Sequence, residues 1–272
     1  MKKQYARVLS IAGSDSGGGA GIQADIKSIS ACGAYAATAV TAITAQNTLG
    51  VQQIHPIPVP DLQAQIQSVL SDIGADAIKI GMLHASKVID GVVESLENYP
   101  NIPIILDPVM VATSGDRLLE SSAVEALKTN LIPKCTLVTP NIDEAGILLN
   151  RPLTSDKLSK DTAIELSEKY GVAVLLKSVE QRAGILADIF HHPKEGKTQV
   201  FEKAHLPTPN THGTGCSLSA SIAAYVARGF DLSTAIAKAN DYLHQALKAG
   251  QPYALGKGKG PVHHFFRWWG EG

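Results

Sequence analysis

The stretch Val8 to Thr44, VLSIAGSDSGGGAGIQADIKSISACGAYAATAVTAIT, sets a pattern that runs along the whole chain. Val8-Leu9-Ser10-Ile11-Ala12 is a short apolar run closed by glycine and reads as a buried strand. A glycine-rich turn follows, and Gly19 to Cys32 then reads as a helix. Ala36 to Thr44 is rich in Ala, Thr, Val and Ile and reads as a second strand. Strand, helix and strand in this order argue for a largely parallel sheet with helices on both faces.

The alternation continues outward. Residues 62–73 read as a helix, with Leu62, Ile66, Val69, Leu70 and Ile73 on one face. Residues 76–80 read as a strand and 87–96 as a helix. Further strands are expected at 102–106, 136–138 and 172–176, with helices near 121–130, 141–149 and 156–170. Residues 185–190 and 198–201 suit a hairpin around Pro193-Lys194-Glu195-Gly196, and 213–228 and 232–249 read as two closing helices. No linker, charge run or internal repeat divides the 272 residues, so residues 1–272 are expected to form a single α/β domain.

Bulk properties exclude several classes. With 24 basic and 25 acidic residues the net charge is −1, which gives no electrostatic grip on nucleic acid or a membrane surface. The apolar fraction of 44% and charged fraction of 18% suit a globular chain with a buried sheet. Cys32, Cys135 and Cys216 are too few and too irregular for a disulfide framework or a zinc site. The apolar run after Arg7 is too short for a signal peptide, and no stretch approaches the roughly 18 apolar residues of a membrane helix. A reducing, cytoplasmic setting is the expectation.

In open α/β sheets ligands gather beyond the carboxyl ends of the strands. The chemistry-bearing residues of this chain fall there: Gly13-Ser14-Asp15, Gln46-Asn47, Gly81-Met82, Asp107-Pro108, Pro140-Asn141 and Lys177. Residues 19–24 fit G-x-G-x-x-A, but a dinucleotide fold needs an acid about twenty positions on, and none lies between Asp25 and Asp61. G-x-x-x-x-G-K-[ST] is absent, which excludes a P-loop.

His212-Gly213-Thr214-Gly215-Cys216 opens a helix. Small residues there let backbone N–H groups converge on an anion at the positive helix end. Such a nest stabilises a phosphoryl group in transfer. Cys216 falls in the first turn, where a thiol pKa tends to drop, so it is a candidate proton acceptor. A plain glycine-rich helix start with a buried cysteine is the equal alternative. Asp107, ending an apolar strand, and Glu144, in the first turn of a helix, suit magnesium or water-bridged phosphate contacts. Glu144 also suits simple dipole complementation. Lys177 reads as a phosphate contact or as half of a salt bridge. Residues 255–260 either line a nucleotide site or form a flexible basic loop, and His263-His264, Trp268 and Trp269 read as structural.

Together these segments resemble the hydroxymethylpyrimidine/phosphomethylpyrimidine kinases of thiamine biosynthesis, within the ribokinase superfamily. The match is carried by Ile11 to Asp25, Thr41 to Thr48, Lys79 to Leu83, Leu106 to Leu119 (LDPVMVATSGDRLL), Thr139-Pro140-Asn141 with Glu144, Asn210 to Cys216, and Gly260 to Phe265. The resemblance implies a three-layer α/β/α fold with a mostly parallel sheet, use of ATP with Mg2+, a homodimer, and two successive phosphorylations of a hydroxymethylpyrimidine. It places Gly13, Ala20, Gln46, Met82, Val109, His212 and Cys216 in the pyrimidine pocket, and Asp25 near the reacting hydroxymethyl or its phosphate. Gln46 is the specificity residue, because its amide both donates and accepts. Asp107 and Glu144 serve magnesium, Asn141 and Lys177 serve ATP, and the amides of Gly213, Thr214, Gly215 and Cys216 form the anion hole.

Two departures stand out. Family members carry Lys-Gly-Gly-His where this chain has Lys177-Ser178-Val179-Glu180-Gln181-Arg182, which puts local ATP contacts in question. The early loop reads Asp15-Ser16-Gly17-Gly18 where Pro-Ser or Ser-Ser is usual, a change expected only to loosen the turn. The alternatives are a pyridoxal or pyridoxamine kinase on the same scaffold and a catalytically weak pyrimidine-binding protein.

Overall fold

A computed structural model describes residues 3–110, 121–153, 160–182 and 184–269. Residues 111–119 of the run LDPVMVATSGDRLL and the start of the helix expected from 156 lie outside the described residues. Among the described residues, nine strands form one sheet: β1 (Arg7–Asp15), β2 (Tyr35–Asn47), β3 (Gly50–Pro56), β4 (Ala77–Ile80), β5 (Ile104–Leu106), β6 (Leu137–Val138), β7 (Ala173–Arg182), β8 (Ile185–His192) and β9 (Lys197–Ala204). Their spatial order is β3-β2-β1-β4-β5-β6-β7-β8-β9. The six strands from β2 to β7 in that order run parallel, and β3, β8 and β9 each pair antiparallel at the edges.

Alternate residues of each inner strand point to opposite layers, as a strand's period of two requires. Ile78 and Ile80 of β4 join one core with Leu9, Ile11, Ile104 and Leu106; Ala77 joins a second core with Val8 and Ile105. The first core is covered by α2 (Val59–Asp72), α3 (Ser86–Leu96), α4 (Ser121–Ala126), α5 (Ile142–Leu149) and α6 (Lys160–Tyr170). The second is covered by α1 (Gly21–Ala31), α7 (Thr214–Ala227) and α8 (Leu232–Gly250). This is the expected three-layer α/β/α arrangement with a mostly parallel sheet.

The topology positions the site. Chain order reverses between β1 and β4, so a crevice opens beyond their carboxyl ends, where open α/β sheets bind ligands. At that point β1 breaks register against β2 between Ala12 and Ser14. The chain then turns into α1 through Gly21 at φ +56°, where a Cβ would sit 2.3 Å from the Gly13 carbonyl oxygen. Only glycine fits this reversal.

Three elements differ from the sequence expectation. β3 carries no clear strand pattern, because Gly50-Val51-Gln52-Gln53-Ile54-His55-Pro56 is mostly polar and edge-exposed, so alternation against a core is weak. The helix expected over 121–130 breaks after Ala126 into a π turn (Leu127–Leu131) and a 3-10 turn (Ile132–Lys134), the latter with Pro133 in its first turn. β7 runs on past Leu176 to Arg182, because pairing with β8 resumes after a shift between Leu176 and Val179.

Within the α1-side layer Lys79 donates to Asp25 Oδ2 at 2.8 Å, with both side chains fully buried, and Ser10 Oγ donates to the same oxygen at 2.6 Å. Breaking a buried pair leaves an uncompensated charge, whereas replacing both members with apolar groups often costs little. Lys79→Met is therefore expected to lower unfolding free energy by about 3–5 kcal/mol. Lys79→Met with Asp25→Leu should recover most of that loss in urea titration. A single variant as stable as the parent contradicts this reading of the layer.

Candidate active site

A cavity of about 320 Å³ opens at the switch point. Its walls come from strand ends and the amino terminus of α7, and they bring together Gly13, Ala20, Gln46, Met82, Val109, Asp107, Asn141, Glu144, Lys177 and residues 212–216. All the expected site residues except Asp25 therefore meet in one space. Asp25, expected near the reacting group, is instead fully buried on α1 and reaches the cavity only through Lys79, which lines it. Both hydrogen bonds to this carboxylate, from Lys79 and Ser10, go to Oδ2, and Oδ1 is buried without a partner.

The glycine-rich loop is organised by Asp15. Its Oδ1 accepts from the Gly17 amide at 2.8 Å, and its Oδ2 accepts from Gly19 at 3.0 Å and Ala20 at 2.8 Å. His212 Nε2, from the opposite segment, lies 2.8 Å from the same Oδ2. Burial opposes ionisation of Asp15, but the bonds from His212, Ala20 and Gly17 outweigh it and hold the carboxyl below its ordinary range. Ser16 Oγ donates to the Gln46 carbonyl and accepts from the Gln46 amide, each at 2.8 Å. The early loop is thus tied on both sides.

The two glycine segments interlock backbone to backbone. Gly213 has φ +78°, and a Cβ there would lie 1.8 Å from the Gly19 carbonyl oxygen. A Cβ on Gly19 would lie 2.4 Å from His212 Cδ2. This contact sets the entry of α7, whose first-turn N–H groups lack intrahelical partners. Gly215 brings that turn against the charged cluster: its Cβ would stand 3.2 Å from Asp107 Oδ2 and 3.4 Å from Lys177 Nζ.

Pocket chemistry differs across the cavity. Gln46, half-buried, accepts from Thr44 Oγ1 at 3.1 Å through Oε1, and its Nε2 lies 3.4 Å from His212 Nε2. Thr44 Oγ1 also lies 2.8 Å from the Ser14 carbonyl oxygen, so its single O–H is shared between the two acceptors. Met82 and Val109 supply apolar wall beside them. Elsewhere in the cavity Lys177 Nζ donates to Asp107 Oδ1 at 2.7 Å and lies 3.9 Å from Glu144 Oε2. Asn141 and Glu144 form a reciprocal capping box at the start of α5. Burial pushes the Glu144 carboxyl up to about 7, against the attraction of Lys177 and with the repulsion of Asp107. Burial works against the Lys177 charge, yet Asp107 and Glu144 raise its pKa.

Cys216 departs from expectation. Its thiol does not fall but is pushed up to about 11 by burial, which outweighs the nearby Lys79 charge and the Gly21 amide. The segment after Lys177 also behaves differently from a simple loss of glycine. Ser178 holds φ +56°, a left-handed conformation in which glycine is at ease, and its amide donates to Asp188 Oδ1 at 2.8 Å. The side chain of Glu180 lies outside the described residues.

Residues 255–260 line no part of this cavity; Gly256 and Gly258 pack on Thr48 instead, and Gly260 packs on Asn210. His264 is buried against Ser217 Oγ at 2.9 Å, in keeping with a structural role. Lys79, Thr44, Lys203, Leu218 and Leu243 also line the cavity, beyond the expected site residues. Lys79 did carry a signal, as the one charge inside Ala77-Ile78-Lys79-Ile80, whereas Lys203 sits among exposed residues of an edge strand and carried none. Among the described residues no three His, Cys, Asp or Glu side chains converge on one point.

The phosphomethylpyrimidine kinase family model matches residues 15–263. The hydroxymethylpyrimidine/phosphomethylpyrimidine kinase of Rhizobium meliloti (strain 1021) is 44% identical over 266 residues, covering 97% of this chain and 98% of that protein. The fold is similar to that of a phosphomethylpyrimidine kinase from Clostridium difficile 630, with a TM-score of 0.76 at 36% identity over 88% of this chain and 98% of that one. It is also similar to a pyridoxal kinase from Staphylococcus aureus in complex with ADP, with a TM-score of 0.86 at 32% identity over 98% and 96% of the two chains. With a family model spanning the cavity-lining segments on both sides of the switch point, and a near full-length relative at this identity, the chain belongs to the phosphomethylpyrimidine kinase family.

Proposed function

We propose that this chain uses ATP to phosphorylate the hydroxymethyl group of 4-amino-5-hydroxymethyl-2-methylpyrimidine, and then the resulting monophosphate, in thiamine biosynthesis. The observation that carries this reading is the start of α7, which opens into a cavity with Gln46, Met82 and Val109 in one wall and Lys177, Asp107 and Glu144 in another. Gln46 presents amide chemistry to an aminopyrimidine edge, while Met82 and Val109 pack its faces. The amides of residues 213–216 and the Lys177 ammonium face charge that develops on a transferring phosphoryl group. Little bond-making is asked of the protein in such a transfer, so positioning and electrostatics dominate.

Asp107 and Glu144 fit Mg2+, which takes one or two carboxylates and completes its shell with phosphate and water oxygens. When bound, the ion supplies charge neutralisation to those oxygens. The proposal also includes ATP contacts from Asn141 and Lys177, a single catalytic domain over residues 1–272, a cytoplasmic setting and assembly as a homodimer. Among the described residues no helix is long and apolar enough to cross a membrane. The hairpin of β2 and β3 leaves Ile43 and Leu49 exposed at the sheet edge, a surface that supports self-association.

Pyridoxal kinase is the second reading, favoured by the likeness to the Staphylococcus aureus enzyme. The left-handed turn at Ser178 favours an active kinase over a binding protein without turnover, since it keeps the backbone shape that glycines allow. Steady-state kinetics with ATP and each alcohol separates the two kinase readings. The pyrimidine alcohol is expected to give the higher kcat/KM; a preference for pyridoxal by more than about tenfold, or 1.4 kcal/mol in transition-state binding, removes the leading reading.

Cys216 is proposed as the proton acceptor from the substrate alcohol. Its thiol starts protonated near neutral pH, so activity that depends on the thiolate should climb as pH rises toward about 11. Cys216→Ala is expected to lower kcat by roughly 10²–10⁴, the range of lost acid–base catalysis, and to flatten the alkaline rise. A loss of only a few-fold with the rise intact makes Cys216 a pocket wall and leaves catalysis to the amides and Lys177.

A further inference from the structure

The start of α7 is built from residues that hold a helix poorly. Gly213 and Gly215 flank Thr214 where the helix opens, and no side chain caps it. Glycine in a helix costs roughly 1 kcal/mol relative to alanine. The amides that face the cavity therefore need support from outside the helix.

That support comes from the chain after α8, where residues 257–264 meet three parts of the site in order. The amides of Lys257 and Gly258 each lie 3.2 Å from Thr48 Oγ1, and the Lys259 amide donates to the Thr48 carbonyl at 3.0 Å, two residues beyond Gln46. Next, the His212 amide donates to the Gly260 carbonyl at 3.0 Å, and Pro261 pairs with His212 in a parallel bridge. Last, His264 Nε2 lies 2.9 Å from Oγ of Ser217, the residue after Cys216, and both are buried. The Ser217 amide closes the first turn of α7 on the Gly213 carbonyl at 2.8 Å. The turn is thus held at its start through His212 and at its end through His264.

This segment is itself anchored. Asn210 Nδ2 donates to the carbonyls of Gly250 at 2.7 Å and Tyr253 at 2.8 Å, and a Cβ on Gly260 would sit 2.1 Å from Asn210 Oδ1. The Tyr242 hydroxyl donates to the His264 carbonyl at 3.0 Å, and Val262 packs in the α1-side core. Burial pushes the His264 ring down to about 3, so it is uncharged and its bond with Ser217 is a neutral one.

We propose, resting on the kinase reading above, that residues 257–264 form a strap that aligns the first turn of α7 with the Gln46 wall, and that His264 is a positioning residue for phosphoryl transfer. It acts through Ser217 and is not part of the cavity lining. The two ends carry separate effects: the Thr48 end sets the pyrimidine wall, and the Ser217 end sets the turn that meets the phosphoryl group.

Steady-state kinetics of the full chain with ATP and the pyrimidine alcohol test this. His264→Ala is expected to lower kcat by about 10-fold to 10²-fold, the upper figure being the cost of a misplacement by an ångström, while KM for the pyrimidine stays within about twofold. His264→Gln, whose terminal amide reaches toward Ser217 Oγ, should recover most of kcat. Ser217→Ala should lose as much as His264→Ala, and the double variant no more than either, because the same contact is removed in all three. Gly258→Ala, at the other end, should raise KM for the pyrimidine more than it lowers kcat. Hydrogen exchange of amides 213–217 gives a readout without turnover: faster in His264→Ala and Ser217→Ala, parental in His264→Gln, and unchanged in the rest of α7. A folded His264→Ala protein with parental kcat and parental exchange overturns the proposal. So do additive losses in the double variant, equal losses in His264→Ala and His264→Gln, or a Gly258→Ala effect confined to kcat. If His264→Ala does not fold, Ser217→Ala with its exchange rates decides in its place. Absence of pyrimidine phosphorylation by the parent protein removes the kinase reading instead, and the exchange rates then still decide the strap.

Discussion

Everything at the site depends on one carboxylate. Asp15 ends β1 and gathers three backbone amides of the loop after it, together with the His212 ring from a segment almost two hundred residues away in sequence. Without this convergence the loop's donors have no common acceptor. With it, the carbonyl of Gly19 is held where Gly213 must pass without a side chain. The start of α7, and therefore the direction of its free amides, follows from that contact.

A second constraint is electrostatic. Lys177 stands between Asp107 and Glu144, and all three side chains are largely buried. Burial, with repulsion from Asp107, pushes the Glu144 carboxyl up despite the attraction of Lys177. On the proposed function, an added cation at the carboxylates and phosphate charge at the lysine would relieve this arrangement. The buried Lys79–Asp25 pair lies on the α1 side of the sheet and holds Lys79 in place as cavity wall.

Much of this was legible in the sequence. Buried parallel strands are continuous apolar runs, so the inner sheet and its helices could be read from Val8-Leu9-Ser10-Ile11-Ala12 and its repeats. The site was legible because each strand of that type ends in a polar or glycine residue that the topology must deliver to one edge. What could not be read depended on three-dimensional partners. Asp25 looks like any acid on a helix until Lys79 is placed opposite it. Cys216 sits at a helix start, which lowers a thiol pKa, but its burial is a property of the packed layers and reverses the sign. The edge strand β3 and the reach of Lys203 from β9 depend on tertiary pairing that local pattern does not encode.

The most direct test of the account is the kcat/KM of Asp15→Ala for phosphorylation of the pyrimidine alcohol. Loss of the clamp displaces the loop and the start of α7 together. The account predicts a fall of at least about 10²-fold, the cost of misplacing reacting groups by an ångström, in a protein that still unfolds cooperatively. A folded Asp15→Ala protein with kcat/KM near that of the parent would contradict it.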